Sequence, residues 1–314
     1  MIIITGGAGF IGSNLLEKLN RVNYDSKIII FDNKNKKKNN IKNLKYSAFY
    51  HKDEIFSFLK TNKSKIDIIF HLGACTNTLE KNWDYLLKNN FLYTKKLAIY
   101  CARQNIRLIY ASSASVYGKL TGIQDEIKNI NDFKPLNLYA KSKLKFDKFL
   151  IKSFSPNAKI IGLRYFNVYG NKEGLKKNMS SPVHNFTNQI INSGHCKIFG
   201  EFDNFKSGDH KRDFVYVKDC VNLNNWLFKK KFNKMNILNV GAGYSTSFKN
   251  IAREIIHNLG YGEIKYIEFP NKLKKGYQSY TCANLKRLKK IGYKFKFTNP
   301  RNGIKEFLQN YNIN

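Results

Sequence analysis

The sequence predicts an α/β protein built on a doubly wound parallel sheet, with a smaller α+β part interleaved through its second half. Two observations carry that expectation. Short apolar runs alternate with longer segments that repeat apolar residues at helical spacing, the pattern of successive βαβ units. A glycine-punctuated turn, TGGAGFIG, joins the first apolar run to the first amphipathic segment.

Taken in order, Ile2 to Thr5 reads as a buried strand and Gly9 to Arg21 as the helix after it. Lys27 to Phe31, Ile66 to His71, Arg107 to Ser112 and Lys159 to Leu163 read as further strands, with helices at Trp83 to Arg103 and Leu136 to Phe154. After Gly170 the rhythm breaks into a Gly-, Asn- and Lys-rich stretch to about Met179, then a helix-like segment and a loop, Phe202 to Lys211, suited to the wall or lid of a pocket. A strand at Asp213 to Val217, a helix to about Lys231 and a strand at Asn236 to Val240 precede an α+β tail. Residues 1–169 and 212–241 are therefore assigned to a dinucleotide-binding domain, and 170–211 and 242–314 to a substrate-binding domain.

At 314 residues with 42% hydrophobic content, the chain has material for a large core. A net charge of +33 raises the possibility of nucleic-acid binding. Yet apart from Lys34 to Lys38 and Lys229 to Lys231 the lysines are scattered among Asn, Ile and Tyr, which fits a codon bias better than a basic face, and no nucleic-acid partner is expected. Cys75, Cys101, Cys196, Cys220 and Cys282 are odd in number and form no CxxC pair, so reduced thiols and no metal are expected. No run approaches the roughly 18 apolar residues of a membrane span. Met1 leads straight into a strand with no room for a secretory leader, so a cytoplasmic location is expected.

Gly6, Gly9 and Gly12 form GxxGxxG between an apolar strand and a helix, a spacing that permits a tight turn, close approach of backbone to a pyrophosphate, and close helix-on-strand packing. The helix N-terminus adds free amides and partial positive charge. Asp32 ends the next strand and would bond an adenosine ribose while repelling a 2′-phosphate. Asn33, Lys36 to Lys38 and Lys52 argue the other way, since donors and ammonium groups would neutralise that phosphate. The residues alone leave NAD and NADP open.

Tyr139 and Lys143 form YxxxK (YAKSK) on a predicted helix, so one turn sets both on the same face. A tyrosine with an ordinary pKa of about 10 is a weak base at neutral pH. A neighbouring ammonium and a cationic nicotinamide both favour its phenolate. Ser113, in ASSASVYG at a strand end, would align the substrate oxygen.

These motifs resemble the extended short-chain dehydrogenase/reductase family, whose nucleotide-binding domain is a Rossmann-type sheet, and the resemblance covers essentially the whole chain. HLGACTNT (His71 to Thr78), RYFNVYG (Arg164 to Gly170), KRDFVYVKD (Lys211 to Asp219) and FPNKLKKGYQSYT (Phe269 to Thr281) are similar to its heptose-epimerase branch. The resemblance implies NADP as cofactor, an ADP-heptose as substrate, a role in making the inner core of lipopolysaccharide, and a homo-oligomer, plausibly a pentamer. It implies cofactor contacts at Phe10, Ile11, Asp32, Asn33, Lys38, Lys52, Leu72, Gly73, Ala74, Cys75, Thr76, Asn89, Lys143, Val168 and Lys176. Substrate contacts are implied at Asn167, Asn178, Asn185, Phe199, Gly200, Glu201, Phe202, Arg212 and Tyr277. Arg212 suits a diphosphate, which a guanidinium can grip with two bonds.

The chain departs from the branch twice. Its lysine-glycine-serine-methionine run is here KKNM, so Lys176 matches the second catalytic lysine with Lys177 as an alternative, and Asn178 replaces a serine. A substrate-binding histidine aligns with Asn185 and not with the adjacent His184. The implied reaction is epimerisation at C6, where no adjacent carbonyl stabilises a carbanion. Oxidation to a 6-keto intermediate and return of the hydride to the opposite face solve that problem. A ketone that turns between the transfers calls for two acid/base groups, Tyr139 and Lys176. A 4-epimerase or 4,6-dehydratase is the rival, but Ala114 and Ser115 stand where a dehydratase needs an acidic residue.

Overall fold

An unbroken aliphatic run suits a strand covered on both faces, and β1 (Ile2–Thr5) is buried at every position. It feeds α1 (Phe10–Arg21), followed by β2 (Ile28–Asp32), β3 (Ala48–His51), α2 (Ile55–Thr61) and β4 (Ile68–His71). Next come α3 (Trp83–Leu86), α4 (Tyr93–Arg103), β5 (Arg107–Ser113), α5 (Leu138–Ser153), β6 (Ile160–Tyr165) and β7 (Asn167–Tyr169). The second half holds α6 (Pro182–Ser193), β8 (His195–Phe199), β9 (Lys211–Arg212), β10 (Phe214–Tyr216), α7 (Val217–Lys230) and β11 (Asn236–Val240). The tail adds β12 (Thr246–Ser247), α8 (Phe248–Leu259), β13 (Glu263–Ile267), α9 (Asn271–Lys274), α10 (Lys286–Lys290) and α11 (Pro300–Gln309). The computed structural model describes residues 1–23, 26–33, 38–62, 65–120 and 130–311, and leaves aside the side chains of Lys38, Leu175, Lys177 and Asn178.

Among the described residues, seven strands pair in the order β11-β6-β5-β4-β1-β2-β3, and every pair is parallel. The chain winds outward from β1 in one direction to β3 and in the other from β4 to β11. The order therefore switches between β1 and β4, and a crevice for ligand opens beyond their carboxyl ends.

Alternation along β1 assigns the two faces. Ile2 and Ile4 join a core with Leu15 and Leu16 of α1, Leu223 and Leu227 of α7, and Leu163 and Leu238. Ile3 points the other way, into a core with Leu59 of α2, Leu97 of α4 and Phe146 and Leu150 of α5. A third cluster, with Val183, Phe186 and Ile190 of α6, Ile251 and Ile255 of α8 and Ile304 and Phe307 of α11, gathers the later helices around Tyr169, Phe214 and Tyr216. Three small pairings complete this region: β10 with β7 and β13 with β8, both parallel, and β12 with β9, antiparallel.

The expected first-half strands appear with small shifts at their ends. The helix expected over Trp83 to Arg103 forms, but with a π-helical segment at Leu87–Leu92 between α3 and α4, and β3 was not anticipated. All five cysteines are free. Among the described residues no helix is long and apolar enough to cross a membrane.

Candidate active site

Close packing explains the glycines of the first turn. Gly6 has φ +68, and a Cβ there would lie 2.6 Å from the Gly73 backbone; a Cβ on Gly12 would lie 2.1 Å from the Gly6 carbonyl oxygen. The β1–α1 turn thus sits hard against the loop after β4. Gly9 is the N-cap of α1, and the helix has no acidic residue in its first turn. The bare amides and the absence of negative charge there fit the pyrophosphate of a dinucleotide.

Asp32, at the end of β2, accepts from the Ala8 amide at 3.1 Å and the Asn33 amide at 2.8 Å. It lines a solvent-open cleft together with Asn33, Lys52, Gly73, Cys75 and Asn89. Ala74 lines the same cleft, Leu72 packs against the core beneath it, and Thr76 is exposed beyond Cys75. Lys52 Nζ lies 3.4 Å from Asn89 Oδ1 and 3.0 Å from Asp53 Oδ1. Lys36 and Lys37 lie outside the described residues, as does the Lys38 side chain.

Helix α5 carries Tyr139 and Lys143. Asn137 caps it by accepting from the Ala140 amide at 2.8 Å. Tyr139, Lys143 and Asp147 then succeed one another at a spacing of four on the face toward β5 and β6. Ser113 hydrogen-bonds the Tyr139 phenol, yet burial dominates and pushes that phenol up to about 12. Lys143 Nζ donates to the Ala111 carbonyl at 2.9 Å. Burial draws it down to about 8, with Asp147 pulling the other way. The Lys143 ammonium is thus turned to the strand. Asp147 is wholly buried and accepts from Tyr110 Oη at 2.9 Å, Ser112 Oγ at 2.9 Å and Arg164 Nε at 2.8 Å. These bonds stitch α5 to β5 and β6 under the face that bears Tyr139 and Lys143.

Lys176 stands on the turn Gly174–Met179, its Nζ 2.9 Å from Glu173 Oε1 and 4.9 Å from the centre of the Phe10 ring. It therefore lies beside the start of α1, with Phe10 at the first helical position and Ile11 next to it. Asn14, one turn on, donates to the Phe10 and Asn171 carbonyls at 2.9 and 3.0 Å, tying the helix to this turn. The side chains of Lys177 and Asn178 lie outside the description. Asn185 Nδ2 donates to the Ser180 carbonyl at 3.0 Å.

Arg212 is buried, with its guanidinium 4.9 Å from the Tyr277 ring and 5.5 Å from the Phe248 ring. Phe202 stacks on Phe269 at 4.3 Å, Phe199 lies 5.2 Å from Phe269, and Tyr277 lies 4.9 Å from it. The Gly200 amide donates to the Ile267 carbonyl at 2.7 Å, and Glu201 is exposed. Asn167 and Val168 sit on β7 against β10, opposite Phe214 and Val215. Gln278 Nε2 donates to the Gly118 carbonyl at 2.8 Å, which brings the Tyr277 loop to the segment after Ser113. Sequence reasoning passed over His210 and Phe269 in this aromatic cluster, Asp147 beneath Tyr139 and Lys143, and Asn90 beside Cys75. For Asp147 a signal existed: it continues the spacing of four from Tyr139 and Lys143.

A glycine turn at the switch point of a parallel sheet, in a chain that also bonds Ser113 to Tyr139 and sets Lys143 one turn further along α5, defines a nucleotide-cofactor enzyme of the epimerase and dehydratase class. The chain belongs to the NAD dependent epimerase/dehydratase family, whose model matches residues 2–241. Over 98% of its length it is 40% identical to the ADP-L-glycero-D-manno-heptose-6-epimerase of Brachyspira hyodysenteriae, 97% of which is covered. Among solved structures it is similar to the Helicobacter pylori ADP-L-glycero-D-manno-heptose-6-epimerase, with a TM-score of 0.83 and 28% identity over 98% of this chain and 94% of that one. It is also similar to a UDP-N-acetylglucosamine 4-epimerase from Methanobrevibacter ruminantium, with a TM-score of 0.83 and 26% identity over 98% and 96% of the two chains.

Proposed function

We propose that the chain inverts C6 of ADP-D-glycero-β-D-manno-heptose to give ADP-L-glycero-β-D-manno-heptose, through a 6-keto intermediate and with a retained NADP, for lipopolysaccharide inner-core precursors. The observation that carries this reading is a pair of proton-handling groups on separate elements: Tyr139 with Ser113 on the sheet side, and Lys176 beside Phe10 at the start of α1. The family resemblance and the 40% identity to a named heptose epimerase supply the substrate.

The dinucleotide, when bound, supplies reversible hydride transfer at C6. The β1–α1 turn holds its pyrophosphate, Asp32, Asn33 and Lys52 its adenosine end, and Leu72 to Thr76, Asn89 and Val168 its flanks. Ser113 donates to the C6 oxygen and aligns it. Tyr139 takes the hydroxyl proton in one orientation of the sugar, and Lys176 serves the other. Since burial holds the free phenol near 12, a positive charge beside it is needed to make it a base. Arg212 and Tyr277 hold the diphosphate, and the Phe199–Phe202 loop, with Asn167 and Asn185, borders the sugar. On this reading 170–211 and 242–314 form the substrate side and the rest the cofactor side, and the enzyme works in the cytoplasm as a homo-oligomer.

The test is incubation of the protein with the D-glycero substrate while NMR follows configuration at C6. Tyr139→Phe and Lys176→Met should each lower net inversion at least about a hundredfold, within the range for loss of an acid/base group. Each should still oxidise or reduce an analogue that presents its oxygen to the surviving residue. Unchanged C6 configuration with the unmodified protein overturns the substrate assignment; near-normal kcat in Lys176→Met overturns the second base alone.

A further inference from the structure

Glu173 has no part in the steps above, yet it is among the most deeply buried acids, 1% exposed. Its Oε1 accepts from the Ser181 amide at 2.7 Å and from Lys176 Nζ at 2.9 Å, and its Oε2 accepts from the Ser181 hydroxyl at 2.7 Å. Ser181 is itself the N-cap of α6, accepting from the His184 amide. The carboxylate is therefore fixed to the start of a helix. Its main-chain carbonyl accepts from the Lys176 amide at 2.9 Å and the Ser180 hydroxyl at 3.3 Å, closing the turn on both sides.

A lysine side chain has several rotatable bonds and no preferred position at a surface. Here the side chain remains 24% exposed while the carboxylate is sealed from solvent. The tether therefore sets where the ammonium sits: beside the Phe10 ring, at the mouth of the glycine turn. The titratable neighbours are His184 of α6, held below its ordinary range by burial, and the Tyr311 phenol beyond α11, raised by burial and by Glu173. Neither replaces the carboxylate as a partner of Lys176, since His184 faces Asn188 and Tyr311.

We infer that Glu173 is a positioning residue for Lys176: it fixes the ammonium beside Phe10, so that Lys176 meets the keto intermediate as a proton donor. The inference rests on the role proposed above for Lys176. As hydride adds to C6, the carbonyl π pair moves to oxygen, the Lys176 N–H bond breaks and the new O–H bond forms. The neutral amine left beside a sealed carboxylate then recovers a proton from solvent through its exposed side, because a buried charge without its counter-charge is costly. The proton lost from the other epimer's hydroxyl goes to Tyr139.

Glu173→Gln keeps the shape and removes the charge. Its kcat should fall about tenfold or more at alkaline pH. The alkaline limb of its kcat profile should move down by about one pH unit or more, the effect of losing an opposite charge at contact distance. KM for the sugar nucleotide and Kd for NADP should stay within about twofold. Glu173→Asp keeps the charge but draws it back, so kcat should drop with the limb in place. Should Glu173→Gln fail to fold, Ser181→Ala serves instead: it loosens the anchor without touching charge and should lower kcat severalfold, and a wild-type kcat there overturns the inference. An unmoved limb in a folded Glu173→Gln, with only thermal stability reduced, also overturns it. Inactivity of Lys176→Met alongside that unmoved limb would leave the proposed reaction standing and remove Glu173 alone; an active Lys176→Met would remove the second base itself.

Discussion

On the cofactor reading proposed above, Lys52 is the residue that would bear most directly on the choice between NAD and NADP. The Asp32 carboxylate is engaged by the Ala8 and Asn33 amides, which draws its charge toward the turn. Lys52 reaches the same cleft from the start of the segment after β3 and meets Asn89 there. A 2′-phosphate beside that ammonium gains a charge-assisted bond that a ribose hydroxyl lacks. Calorimetric titration should therefore show NADP⁺ binding more tightly than NAD⁺, with Lys52→Met narrowing the gap by about tenfold, or about 1.4 kcal/mol, mainly by weakening NADP⁺. A gap unchanged by Lys52→Met would shift the selection to other residues. The sequence showed Lys52 and Asp32 together but could not order their influence, since two opposite charges near one site give no net sign until their hydrogen bonds are known.

At the scale of elements, the π segment between α3 and α4 is the connection that matters most. A π turn adds a residue and re-aims those around it. Asn90, 1% exposed, there accepts from the Cys75 amide at 2.8 Å and donates to the Cys75 carbonyl and Ser142 Oγ at 3.0 Å each. One side chain thus joins the loop after β4 to the helix that bears Tyr139 and Lys143. Asn90→Ala leaves the Cys75 peptide without either bond and should cost about 1–3 kcal/mol of stability, with a several-fold rise in Kd for NADP⁺. Denaturant unfolding and cofactor titration check both effects. Leu92→Ala, at a 47% exposed site of the same segment, is the control, expected within about 0.5 kcal/mol of the parent. A matching loss in both variants would mean that the segment acts only as helix.

Elements were legible where burial forces a pattern. β1, β2, β4, β5 and β6 lie inside the sheet, and their aliphatic runs marked them. β3 is an edge strand, half-buried throughout, so AFYH carries no such run. The tail pairings of β8 with β13 and β9 with β12 join segments far apart in the chain, and nothing local announces the partner. The site divides the same way. Gly6, Gly12, Tyr139 and Lys143 have a spacing, whereas Asn90 is a single polar residue whose weight comes from burial, which only the fold supplies.

At the scale of the whole molecule, two buried groups oppose each other as pH falls. His71, between the Thr5 and Thr94 hydroxyls, is depressed to about 3 by burial and by Lys143. Its contribution to stability is full above about pH 6.5 and is lost as pH falls below that value toward 3. Asp213, accepting from the Ala242, Gly243 and Ala283 amides, is raised by burial to about 6. Protonation stabilises its site, so its contribution grows as pH falls through 6 toward the ordinary carboxylate value. The two offset each other in the window they share. In the His71→Gln variant only the second remains, so the stability advantage of the parent over the variant should shrink as pH falls from 6.5, by up to about 1.4 kcal/mol per unit. Unfolding in urea at a series of pH values tests this, and an advantage that stays constant with pH would mean that His71 is not held neutral.

Fold likeness on its own does not choose a substrate, because the heptose epimerase and the 4-epimerase match this chain with the same TM-score. What the fold does fix is where change is tolerated. A methyl group at Gly12 would fall 2.1 Å from a carbonyl oxygen, and no rearrangement of side chains relieves contact with backbone. The exposed faces of the helices meet no such obstacle. Lys96 Nζ lies 4.1 Å from the centre of the Phe56 ring and Lys95 Nζ 4.9 Å from that of Phe149, each ammonium seated over an aromatic face. Drift in codon usage can therefore write lysine across these surfaces, generation after generation, at little expense to folding. The exposed helix faces thus have room for added lysine that the β1–α1 turn, with no space even for a methyl group, does not have.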